Sequence, residues 1–154
     1  MNKFEEYVKL TNEAYRLAQT ITVADVEQAW REWLEANPRF FGVAWKQGTP
    51  SFNDGDPCTF RLHETYYITQ DGLKQEAEDN GVDMALLEQD ELSFLKKLNI
   101  GYARQLYLFA EACEWGGVAS TPPNIHRNIL ERLFGDSYIV ITRKCSFTEE
   151  YEPY

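Results

Sequence analysis

The chain has 154 residues, of which 44% are hydrophobic, 26% charged and 14% aromatic. That composition excludes intrinsic disorder and collagen-like repeats. The length predicts a single domain over residues 1–154, large enough to need no metal or disulfide staple. Twenty-five acids against fifteen bases give a net charge of −10, without the basic footprint that direct nucleic-acid binding requires.

Residues 3–19 place Phe4, Tyr7, Val8, Thr11, Ala14, Tyr15 and Ala18 on one helical face. Thr22 with Asp25 three residues on is a capping-box variant that opens a second helix, faced by Val23, Val26, Trp30, Trp33 and Leu34. That helix must end by Asn37, because Pro38 disfavours helix at the residue before it. The period then changes to two. Phe41, Val43 and Trp45 alternate, and so does the run from Cys58 to Thr69. The two runs predict a hairpin with Asp54-Gly55 in its turn.

A loop with one short helix is expected from Asp71 to Asp83, then helix from Met84 to Trp115, divided or kinked at Asn99–Gly101 and stopped at Gly116-Gly117. Its second half, Ile100 to Ala110, is apolar on a wide arc and is expected to be deeply buried. Thr121-Pro122-Pro123 predicts a helix start, Ile125, Ile129, Leu130 and Leu133 its face, and Gly135 its stop. Tyr138–Phe147 reads as a third strand, with an exposed tail from Thr148. The order predicts an α+β fold, a small antiparallel sheet of about three strands packed against five or so helices.

No run approaches the roughly 18 apolar residues of a membrane span. Cys58, Cys113 and Cys145 form no CxxC pair and no apolar leader opens the chain, so a cytoplasmic location with small buried thiols is expected. There is no phosphate-binding glycine loop, no HExxH and no GxSxG. No cofactor or metal is expected. Asn53-Asp54-Gly55-Asp56 could hold a hard cation, and a metal-dependent hydrolase using Asp54 and Asp56 is the enzymatic alternative. The same residues are also ordinary turn chemistry. Glu64 sits on the apolar parity of its strand, so either the strand has twisted out of the core there or a buried partner such as Arg143 neutralises it. The row Arg61, His63, Thr65, Tyr67 is the opposite, outward parity.

The charge is unevenly placed. Asp71, Glu76, Glu78, Asp79, Asp83, Glu88, Asp90 and Glu91 stand against one base, Lys74, and Glu149, Glu150 and Glu152 add to the tail. Such a segment either keeps the chain in solution or faces a basic partner.

The stretch Trp45-x-Gln47-x-Thr49-Pro50-x-Phe52-Asn53-Asp54-Gly55-Asp56-Pro57-Cys58 resembles a motif of uncharacterised small phage and bacterial proteins, as does Leu133-Phe134-Gly135-Asp136 with the strand and acids after it. The resemblance covers residues 40–70 and 122–152. It departs at Gly48, where the group has an aromatic residue, and at Lys144-Cys145, where it has a tight turn. It implies a phage origin rather than a reaction, and the host cytoplasm as location. Small phage proteins often inhibit host machinery, defence systems included. In the motif itself, Trp45, Gln47, Thr49, Asn53, Asp54 and Asp56 read as residues that fix a loop.

Two functions are therefore expected to compete. One is a non-enzymatic acidic interaction protein that binds and inhibits a basic host protein through the eight acids of residues 71–91. The other is a binder of a small anionic, nucleotide-type ligand between sheet and helices, with Arg61, His63 and Arg143 as counter-charges.

Overall fold

The computed structural model describes residues 1–50, 58–63, 65–98 and 122–150. Helix α1 (Lys3–Thr20) opens with a capping box between Asn2 and Glu5. Helix α2 (Val23–Ala36) repeats the device with Thr22 and Asp25, as its sequence predicts. The bonds from Thr22 also hold the Asp25 carboxyl below its ordinary range. At the other end of α2, Arg143 donates to the carbonyls of Leu34 and Asn37, a cation where the helix dipole favours one.

Among the described residues, five strands form one antiparallel sheet. Strand β1 (Phe40–Gly48) is its centre. On one side it pairs with β2 (Arg61–Leu62) near its end and β3 (Tyr66–Thr69) near its start; on the other it pairs with β4 (Ser137–Thr142). Strand β5 (Ser146–Glu150) pairs with β4 and ends the path among the described residues. The hairpin of β1 with the Cys58–Thr69 run is therefore as predicted. The strand count is not, because two predicted strands are each broken.

Residues 58–69 give β2 and β3 as separate pieces. The final run turns at Arg143-Lys144, so that Thr148 to Glu150 belong to a strand rather than a tail, with Thr148 and Glu150 exposed as expected. Thr142 closes that turn. Its amide donates to the Cys145 carbonyl at 2.8 Å, and its hydroxyl accepts from the Cys145 amide at 3.0 Å. The chain therefore turns tightly at Arg143-Lys144. Glu149 and Glu150 put charge on an edge strand, which discourages further strand pairing.

Helix α3 (Gln70–Asp79) occupies most of the expected loop, capped by Thr69 through the Gly72 amide at 3.0 Å. Helix α4 (Ala85–Gln89) and α5 (Glu91–Leu98) follow. Helix α6 (Arg127–Phe134) begins later than predicted. His126 is its N-cap, Nδ1 accepting from the Asn128 amide, and Pro122 and Pro123 lie before it. Gly135, at φ +60°, ends it as predicted. The hairpin turn Asp54-Gly55, Glu64, the helix expected from Ile100 with its break and its Gly116-Gly117 stop, and Glu152 lie outside the described residues.

Both faces of the sheet are covered. Trp30, Trp33, Phe40, Val43, Trp45, Tyr67, Leu130, Ile139 and Ile141 form a core with α2 and α6. Ala44, Ile68 and Val140 meet Leu73, Ala77, Phe94, Leu95 and Leu98 from α3 and α5 on the other face. Tyr67, on the outward parity, is buried among Trp30, Trp33 and Phe40, since a sheet covered on both faces has no outward parity. At the centre, a Cβ on Gly42 would stand 2.7 Å from the Ile141 carbonyl oxygen, so only glycine lets β1 approach β4 there.

Candidate functional site

Helices α3, α4 and α5 close the second core with their inner sides and carry the acidic segment on their outer sides. Asp71, Glu78, Asp79, Asp83, Glu88 and Asp90 are exposed. Two of the eight predicted contact acids are not available there. Glu76 is buried at 8% exposure and accepts from Asn80 Nδ2 at 2.9 Å. Glu91 is turned inward to the β4–β5 turn. Three more have local work: Asp79 accepts from Gln75 Nε2 at 3.0 Å, and the other two cap helices. Asp83 accepts from the Ala85 amide at 2.9 Å, and Asp90 accepts from the Ser93 amide and hydroxyl, which lowers its pKa. Part of the acidic excess thus serves local bonds and helix capping, while Asp71, Glu78 and Glu88 stand exposed beside them.

Glu91 takes part in a cluster that sequence reasoning missed. Its Oε2 accepts from Thr142 Oγ1 at 2.8 Å and from Cys145 Sγ at 2.9 Å. Burial, then the bond to Glu91, pushes the Cys145 thiol up to about 11. A thiol held protonated is a poor nucleophile, and the bonds it shares with Glu91 tie α5 to the β4–β5 turn. No local sequence signal connects residues 54 positions apart. Cys145 is half-buried and Cys58 exposed, where buried thiols were expected; the short β2 beside Cys58 is itself exposed. Cys113 lies outside the described residues.

The three proposed counter-charges are not brought together. Arg61 pairs with Gly48 at one end of β1, whereas Arg143 follows Thr142, which pairs with Gly42. Roughly 20 Å of strand separates them. Arg143 is also committed to the end of α2 and pairs with Glu35 at 3.5 Å. Arg61 and His63 stay together. His63 borders a cleft of about 160 Å³, with Trp30, Trp45, Thr65, Asn124 and Ile125. Burial lowers its pKa, and the charges of Lys46 and Arg61 push the same way.

The motif residues that can be followed are structural. Trp45 Nε1 donates to Gln47 Oε1 at 2.9 Å, and Gln47 Nε2 donates to the carbonyls of Leu130 at 2.9 Å and Gly135 at 2.8 Å. The Thr49 amide donates to Asp136 Oδ1 at 2.8 Å, and Trp45 meets Phe134 edge-on. The two sequence segments that carry the resemblance therefore touch each other. Asn53, Asp54 and Asp56 lie outside the described residues. Among the described residues, no group of three or more His, Cys, Asp or Glu is placed to hold a metal, and no helix is long and apolar enough to cross a membrane. No family model, curated protein or solved structure matches this chain.

Proposed function

We propose that the chain is a non-enzymatic interaction protein, phage-encoded as its motif implies, that docks a basic host protein on the outer side of α3–α5 and inhibits it. A defence protein or a nucleic-acid-binding protein is the class of target, since both present basic surfaces that an acidic layer would cover. The observation that carries this reading is the placing of six exposed carboxylates on one helical layer whose inner side is sealed against the sheet. Such a surface speeds encounter with a positive partner and is screened by salt.

The test is affinity capture from nuclease-treated bacterial lysate at low and high salt, beside the variant Asp71→Asn/Glu78→Gln/Glu88→Gln. That variant spares the capping acids Asp83 and Asp90. One basic protein, released by salt and held roughly tenfold more weakly by the variant, is expected, at about 0.2–1 kcal/mol for each exposed pair lost. A captured protein that ignores both salt and the variant overturns the reading.

The cleft beside His63 favours a second reading, a small anionic ligand. An anion bound there would reverse the downward push of Lys46 and Arg61 on the imidazole. A nucleotide panel that moves neither the melting temperature nor the His63 titration rules it out.

A further inference from the structure

Helix α1 is 18 residues long and buries none of them. Its length is about 27 Å. At about 100° per residue, Phe4, Tyr7, Val8, Leu10, Tyr15 and Leu17 fall on one half of its circumference. Thr11, Ala14 and Ala18 lie between them. Glu5, Glu6, Lys9, Asn12, Glu13, Arg16 and Gln19 occupy the other half. The helix is therefore amphipathic with its apolar side outward: the six large side chains are between 39 and 72% exposed. Its C-terminal end is held by Arg132, which donates to the carbonyls of Ala18 and Ile21 at 2.8 Å.

The size of this face says what fits it. At roughly 150–250 Å² for each aromatic side chain and less for each aliphatic one, it leaves on the order of 700 Å² exposed. A monomer rarely carries an apolar patch beyond about 600 Å². Each partner of a stable pair contributes about 800 Å². The face also matches itself. In heptad terms Phe4, Thr11 and Ala18 share one core position, and Tyr7 and Ala14 the other. Two copies run antiparallel, centred at the level of residues 12 and 13, set Tyr7 against Ala18 of the second copy and Ala14 against its Thr11. Leu10 then flanks Leu17 of the second copy, and Val8 flanks Tyr15. Tyr7 thus meets a small residue at each end of the seam, small residues face each other at its centre where the two helices can approach closely, and the two-fold axis makes every contact twice.

We propose that α1 is a self-association helix, whose occupant is the α1 of a second copy of this chain in an antiparallel pair. The inference does not rest on the acidic surface of α3–α5, which lies on other helices. Sedimentation velocity of the full chain, from submicromolar to submillimolar concentration, tests it. A concentration-dependent dimer is expected. Leu10→Glu with Leu17→Glu should weaken it by a hundredfold or more, on the order of two buried leucines lost from each copy. Lys9→Ala with Arg16→Ala, on the polar half, should leave it intact. Because α1 lends no residue to either core, the leucine variant should keep the wild-type melting temperature at concentrations where both are monomers. A wild-type chain that stays monomeric throughout overturns the proposal, and so does a dimer that survives the leucine variant. Either result leaves the salt-dependent capture on α3–α5 standing, and loss of that capture leaves this one standing.

Discussion

Gln47 is fully buried, yet its amide serves three groups: the Trp45 indole N–H and the carbonyls of Leu130 and Gly135. It joins the central strand to the end of α6. Gln47→Leu keeps nearly the same volume and removes all three bonds. The indole is then a buried donor without this acceptor, at about 1–3 kcal/mol, and each carbonyl loses a bond of about 1 kcal/mol. The expected destabilisation is about 3–5 kcal/mol, a fall of roughly 6–20 °C in melting temperature for a chain this long. Urea unfolding followed by tryptophan fluorescence measures it, since Trp45 itself reports on the site. Gln47→Glu separates polarity from shape. Its carboxylate still accepts from Trp45 but faces two carbonyls, and protonation restores a donor, so this variant should regain stability as the pH falls. A Gln47→Leu chain within about 0.5 kcal/mol of wild type, the ordinary scatter of a surface substitution, would show that the amide is not what joins β1 to α6.

Gly42→Ala should cost about 2–3 kcal/mol or more, because its Cβ meets backbone at 2.7 Å and backbone cannot swing aside; unchanged urea unfolding would refute the close approach of β1 and β4. Cys145 should alkylate far more slowly at pH 8 than exposed Cys58, read by peptide mass mapping, and Glu91→Gln should speed it. Since the Cys145 pKa is raised from 9.0 to about 11, its contribution to stability is complete below pH 9 and is lost as the pH rises through 11. Cys145→Ser should flatten that window relative to wild type. The His63 imidazole should titrate below 6.5 by NMR, and Lys46→Ala should move it upward. Its lowered pKa makes its contribution one that is present above 6.5 and lost on acidification. Arg132→Ala should speed amide exchange in the last turn of α1 while the strands keep their protection; unchanged exchange there would mean the helix is held otherwise.

Local chemistry was readable in the sequence and long-range pairing was not. Thr22 and Asp25 announced the start of α2, Asn37-Pro38 its end and Gly135 the end of α6, because each of these rests on bonds within a few residues. The alternation around β1 was readable for the same reason. The inward turn of Tyr67 was not, because the face it lies on is covered by Trp30 and Trp33 of α2, a helix that precedes the sheet and that no residue near Tyr67 signals. Helix α3 was obscured because Gly72 and Glu76 share its inner side with Leu73 and Ala77, which breaks the apolar period. Of the predicted contact surface, the exposure of Asp71, Glu78 and Glu88 was legible from charge alone. The inward Glu91 was not, since its partners Thr142 and Cys145 lie at a turn that no nearby residue signals. The separation of Arg61 from Arg143 needed the register of β4 on β1.

That register has a temporal side. Strand β1 is made early, but one of its edges waits for residues 137–142, nearly a hundred positions later. Both cores wait as well, for Ile139 and Ile141 on one face and Val140 on the other. During synthesis Trp30, Trp33 and Trp45 must therefore stay unsealed until the final strand pair leaves the ribosome, and a chain stopped before residue 137 would present β1 as an open apolar edge. Folding should be a late, slow and all-or-none event, and truncated products should aggregate instead of persisting as partial structures.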